Sequence, residues 1–88
     1  MDRTELVERT LDKAADHGAE LSAEQTAQVV DALFGTLERP GSIAEVIRSG
    51  EAVTVLGFGT FEADDREAVF RPGTALVEYL ENGPAPRR

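Results

Sequence analysis

Hydrophobic positions follow two different periods along this chain. Val7, Leu11 and Ala14 recur at intervals of three to four, which places them on one side of a helix. Asp2 stands at its start with Glu5 three residues on, the spacing of a capping box. His17 and Gly18 mark its end, a side chain suited to the last turn followed by a residue suited to the left-handed cap. Ser22 and Gln25 repeat the device and open a second helix, with Ala27, Val30, Leu33, Phe34 and Leu37 as its apolar stripe and Val29 beside it. That stripe is wider than one neighbouring helix covers. It predicts burial on two sides, against this chain and against another. Pro40-Gly41 stops the helix. Ser42 and Glu45 predict a third capping box and a short extra helix over about 42–49, with Ile43, Val46 and Ile47 on its apolar side.

From Glu51 the period changes to two. Val53 and Val55 point one way and Ala52, Thr54 and Leu56 the other. Phe58 to Phe61 continues as a second strand, and Ala68-Val69-Phe70 as a shorter third. Pro72-Gly73 leads into a last helix over 72–83, with Leu76, Val77, Tyr79 and Leu80 on its apolar side; Asn82-Gly83-Pro84 closes it, and residues 84–88 are expected to be a disordered tail. The order predicts an α+β domain over 1–83: a helical part over 1–50, a hairpin region over 51–70 with a three-stranded antiparallel sheet, and the final helix.

Eighty-eight residues bury a thin core, so the chain is expected to need a supplement. It has no cysteine, which excludes disulfides and thiolate metal sites, and its one histidine argues against a metal site of ring nitrogens. Oligomerisation is what remains; no cofactor and no metal are expected. No apolar run approaches ~20 residues, so no membrane partner is expected, and the acidic, amphipathic start does not suit a signal peptide. Both point to the cytoplasm.

The chemistry of catalysis is missing as well. His17 has no Ser or Asp partner at a recognisable spacing, and Gly57-Phe58-Gly59 is not followed by the rest of a phosphate loop. Glu62, Asp64, Asp65 and Glu67 lack the ligand frame and central glycine of a calcium loop. No enzyme is expected.

Three motifs carry a resemblance. VTVLGFGTF, Val53 to Phe61, resembles the signature hairpin of the bacterial histone-like HU/IHF proteins. FRPGTAL, Phe70 to Leu76, is similar to that family's C-terminal motif, and RTEL, Arg3 to Leu6, to its usual opening. The order is right and the likeness covers nearly the whole chain. It implies an intertwined homodimer with a helical base and a saddle of sheets, in which Phe58, Phe61 and Phe70 would join Leu33, Phe34 and Leu37 in the dimer core. Near Asp16 to Glu20 and from Glu38 to Ile47 the chain is longer than the family pattern.

The same resemblance implies DNA-binding, nucleoid-associated function, and here the sequence departs from the family. Its members raise long basic β-arms whose tips wedge into the minor groove and bend DNA. Here eight residues, Glu62 to Val69, separate Phe61 from Phe70, and four of them are acidic. Allowing two for a turn, about three remain per strand, a ribbon of ~10 Å that cannot embrace a duplex. What is left for DNA is the saddle body. Its candidates are Arg3, Arg66 and Arg71, with the backbone at Gly73 and Thr74 as a phosphate cradle at a helix N-terminus. Thr74 stands where the family usually carries a basic residue.

Charge decides how strong such contact would be. Seventeen Asp and Glu against nine Lys and Arg leave −8 per chain, or −16 for two copies. That field opposes nucleic acid at long range and favours basic partners. Weak, non-specific DNA contact through the body is the expected function, with nucleoid association if it persists. The alternative is a dimeric module that kept the fold, lost DNA, and binds a basic protein or an arm-bearing relative.

Overall fold

The computed structural model describes residues 1–82; the expected tail over 84–88 and the closing Gly83-Pro84 lie outside the described residues. The elements are α1 (Arg3–Asp16), α2 (Ala23–Phe34), α3 (Ser42–Arg48), β1 (Val53–Val55), β2 (Gly59–Asp64), β3 (Glu67–Pro72) and α4 (Thr74–Asn82). The chain divides into two compact units at Ala44/Glu45, within α3.

In the first unit the two predicted capping boxes form. The Asp2 side chain accepts from the Glu5 N–H at 3.0 Å while Glu5 accepts from the Asp2 N–H at 3.1 Å. Ser22 and Gln25 do the same at 3.0 and 2.9 Å. These bonds satisfy helix-start donors that have no partner of their own. Val7 on α1 and Val30 on α2 are buried, with Thr26 beside them; the Thr26 hydroxyl donates to the Ser22 carbonyl at 2.9 Å.

Two helical expectations fail here. The second helix does not run to Pro40: it ends at Phe34. Gly35 caps it at φ +84°, a conformation that favours glycine. A tight turn follows, with the Thr36 hydroxyl accepting from the Glu38 and Arg39 N–H groups and a bridge between Gly35 and Pro40. Gly35 and Gly41 approach so closely that neither has room for a side chain. Leu37 therefore lies in this turn and not on the helix stripe, and its side chain is fully exposed. The third capping box is absent too. Ser42 is the first residue of α3 itself and makes no side-chain bond to Glu45.

In the second unit the sheet runs β1-β2-β3, all antiparallel. β1 is confined to three residues, but β2 and β3 extend beyond the strands expected from sequence, to Asp64 and from Glu67. Cross-strand hydrogen bonding carries the ladder through the charged stretch, because the side chains there project away from it. Phe61 pairs with both Val53 and Phe70, Thr60 with Thr54 and Arg71, and Gly59 with Val55 and Pro72. Directly paired residues share a face. One face thus carries Val53, Val55, Phe61, Phe70, Ala63 and Ala68. Gly59 makes this face possible: a Cβ there would sit 2.5 Å from the Phe70 ring and 2.6 Å from the Arg71 carbonyl. The rings of Phe58, Phe61 and Phe70 lie 4.9 to 6.4 Å apart.

Candidate nucleic-acid interface

The other face of the sheet is polar, and it holds most of the hairpin's charge. Alternation and register assign to it Thr54, Thr60, Glu62, Asp64, Glu67, Val69 and Arg71. The Thr54 and Thr60 hydroxyls share a hydrogen bond of 3.1 Å. Of the charged groups, three are carboxylates and one, Arg71, is a cation. Arg71 lies diagonally across the ladder from Glu62, and its Nε donates to the Glu62 carboxylate. That hydrogen bond, together with the attraction of the Glu62 charge, holds the Arg71 guanidinium above its ordinary pKa. Arg71 is therefore a cation that already has an anion.

Arg3 is engaged in the same way, in the first unit. Its guanidinium donates to the Asp31 carboxylate and, at 3.0 Å, to the Gly35 carbonyl. The last turn of α2 has no basic residue of its own, so Arg3 supplies the positive charge that the C-terminal end of a helix favours. Both arginines thus hold an ion pair within the chain.

Arg66 is different. With Asp65 it forms the two-residue connection between β2 and β3, at φ +72° and +51°. This is the type I′ pattern, whose twist matches the flanking strands. Arg66 is exposed and makes no side-chain bond among the described residues.

The expected phosphate cradle is partly filled. The Gly73 N–H, a candidate donor, is taken by the Phe58 carbonyl at 2.8 Å, and the Leu76 N–H by the Gly57 carbonyl at 3.0 Å. The turn between β1 and β2, closed by the Phe58 N–H on the Val55 carbonyl at 2.9 Å, thereby caps α4. The N–H groups of Thr74 and Ala75 have no intrachain acceptor among the described residues, as is usual in the first turn of a helix.

Sequence reasoning missed Glu62 as the partner of Arg71. A signal was present. Pairing Phe61 with Phe70 through a two-residue turn sets Glu62 and Arg71 on one face of adjacent strands. No group of metal-ligating side chains occurs among the described residues, and none of their helices is long and apolar enough to cross a membrane.

Comparison with known proteins bears on this geometry. No family model matches the chain. The DNA-binding protein HU of Geobacillus stearothermophilus is 34% identical over an alignment of 101 positions, gaps included, which covers 92% of this chain and 100% of that protein. The chain belongs to the HU family. A 35% identity to the SPbeta prophage-derived DNA-binding protein HU 2 of Bacillus subtilis extends over 68 residues, 77% of this chain; here the chain spans 62% of the relative's length. The HU of Synechocystis is 39% identical over 67 residues. Among solved structures, an HU mutant from Thermotoga maritima superposes with a TM-score of 0.67 at 34% identity, covering 89% of this chain and 96% of that one. Four helices and a three-stranded antiparallel sheet are thus an HU fold, as the hairpin motif implied.

Proposed function

We propose that this HU-family chain is a dimer that contacts duplex DNA weakly and without sequence preference, through its body and not through arms. The observation that carries the reading is the match along the entire length of a relative named as a DNA-binding protein. The dimer is supported by what the single chain leaves uncovered. Val7 and Val30 are its buried apolar residues among those described, whereas Leu33, Phe34, Phe58 and Phe70 are 40% or more exposed. A surface of this kind is expected to be covered by a partner. Such a dimer would place Leu33, Phe34, Leu37, Phe58, Phe61 and Phe70 in its interface.

The weakness follows from the hairpin and the charge. A ribbon that turns at Asp65-Arg66 extends about three residues per strand past the Phe61–Phe70 pair, ~10 Å at ~3.3 Å per residue. Its polar face bears more carboxylates than cations. Contacts by Arg3 and Arg71 would exchange a carboxylate for a phosphate, while Arg66 and the Thr74 N–H are free to add theirs.

A salt titration against a short duplex tests the reading. Two arginines per protomer on phosphate give a slope of log K against log salt of about −3.6, at about −0.9 per contact. The expected dissociation constant at physiological salt is on the order of 10⁻⁴ to 10⁻⁶ M, the non-specific range. Energy transfer between the duplex ends should show no bend. Nanomolar binding or a strong bend would contradict the short ribbon. Absence of binding at low salt would instead favour a dimer that uses the fold to hold a basic protein.

A further inference from the structure

Two basic side chains on α1, and the histidine at its C-cap, stand apart from those already considered. Arg9, Lys13 and His17 follow one another at four-residue intervals, so they rise along one side of the helix about 6 Å apart. All three are exposed, and none makes a salt bridge or a side-chain hydrogen bond among the described residues. With Thr10 and Ala14 they line an open depression of about 430 Å³. The row immediately beside them, Glu8, Asp12 and Asp16, is acidic at the same spacing. A lone cation near a helix C-terminus is accounted for by the helix dipole. Two adjoining cations in line with a histidine, in a chain of net charge −8 whose Arg3 and Arg71 are already paired, need a further reason.

We propose that this row is a second phosphate-contacting surface, in which Arg9, Lys13 and His17 lie along the backbone of one nucleic-acid strand. The proposal rests on the DNA reading above and adds a further contact to those of Arg3 and Arg71. From Arg9 to His17 the row spans about 12 Å, and a strand presents a phosphate every ~3.4 Å of duplex axis, so three contacts fit within its length. Binding here breaks no intrachain ion pair, unlike binding at Arg3 or Arg71. The acidic row alongside limits affinity and confines the ligand to a narrow track.

Fluorescence anisotropy of a labelled duplex at 50 mM salt is the test. The double variant Arg9→Gln, Lys13→Gln removes four cations from a dimer and should weaken binding at least about tenfold and flatten the salt slope by up to about 3.6, at about 0.9 per contact, a loss additional to that of Arg3→Gln, Arg71→Gln. Neutralising the flanking acids, Asp12→Asn with Asp16→Asn, should tighten binding. The control Glu78→Gln with Glu81→Gln removes equal charge from α4 and should change it far less. If the Arg9 and Lys13 variant binds with an unchanged slope, the row is overturned and the DNA reading stands. If the unaltered protein binds no duplex, both fall. Displacement of the duplex by equimolar poly-glutamate would overturn the phosphate assignment in favour of an acidic polypeptide.

Discussion

Glu62 decides what Arg71 is able to do. The carboxylate accepts from the Arg71 Nε and raises its pKa further, so the guanidinium stays charged but is occupied. Removing that charge while keeping the side chain's size frees the cation and also reduces the negative field on the sheet. Glu62→Gln is therefore expected to tighten duplex binding several-fold at low salt, with a steeper salt slope as Arg71 moves onto phosphate. Anisotropy measures both. An unchanged affinity and slope would mean that the polar face of the sheet takes no part in binding.

Among the elements, the hairpin and α3 make separate demands. The β2–β3 turn places Arg66 at φ +72°, where a residue with a Cβ is disfavoured and glycine is not. Arg66→Gly should stabilise the fold by about 0.5–1 kcal/mol and raise the melting midpoint by a few degrees. A lowered midpoint would show that the arginine side chain contributes something the turn geometry does not explain. In α3, Ile43, Val46 and Ile47 are half-buried, and a helix of 7 residues is too short to be stable alone, so its stability depends on that apolar face. Ile47→Asp should lower stability by a few kcal/mol through a charge held against apolar surroundings. An unaltered thermal transition would identify the face as open to a partner.

At the scale of the whole molecule, stability and assembly are expected to be one process. Phe58 is 47% exposed in the single chain, yet its ring lies within 5.5 to 6.4 Å of the other two. If a second copy covers the cluster, Phe58→Ala should cost about 3–5 kcal/mol, the range for a fully buried Phe, and the midpoint should fall on dilution. Sedimentation should show folded dimers and no folded monomer at micromolar concentration. A folded monomer, or a loss well below that range, would leave the aromatic cluster without the partner proposed for it.

Much of this is legible in the sequence. The caps at Asp2 and Ser22, the glycine after His17, the change of period at Glu51 and the GFGTF hairpin depend on neighbours within a few residues, and local sequence determines local hydrogen bonding. The two-residue turn within Glu62 to Val69 could likewise be counted from the chain. Where α2 ends could not, because Gly35 and Pro40-Gly41 are both adequate stops, and the choice went to Gly35 through the Thr36 turn. The fate of the arginines was also hidden. Arg3 meets Asp31 and Gly35 because two helices pack, and Arg71 meets Glu62 because two strands take one register. A sequence lists the charges a chain carries; which remain free for a ligand depends on residues far apart along it, and the tertiary fold alone decides how those are brought together.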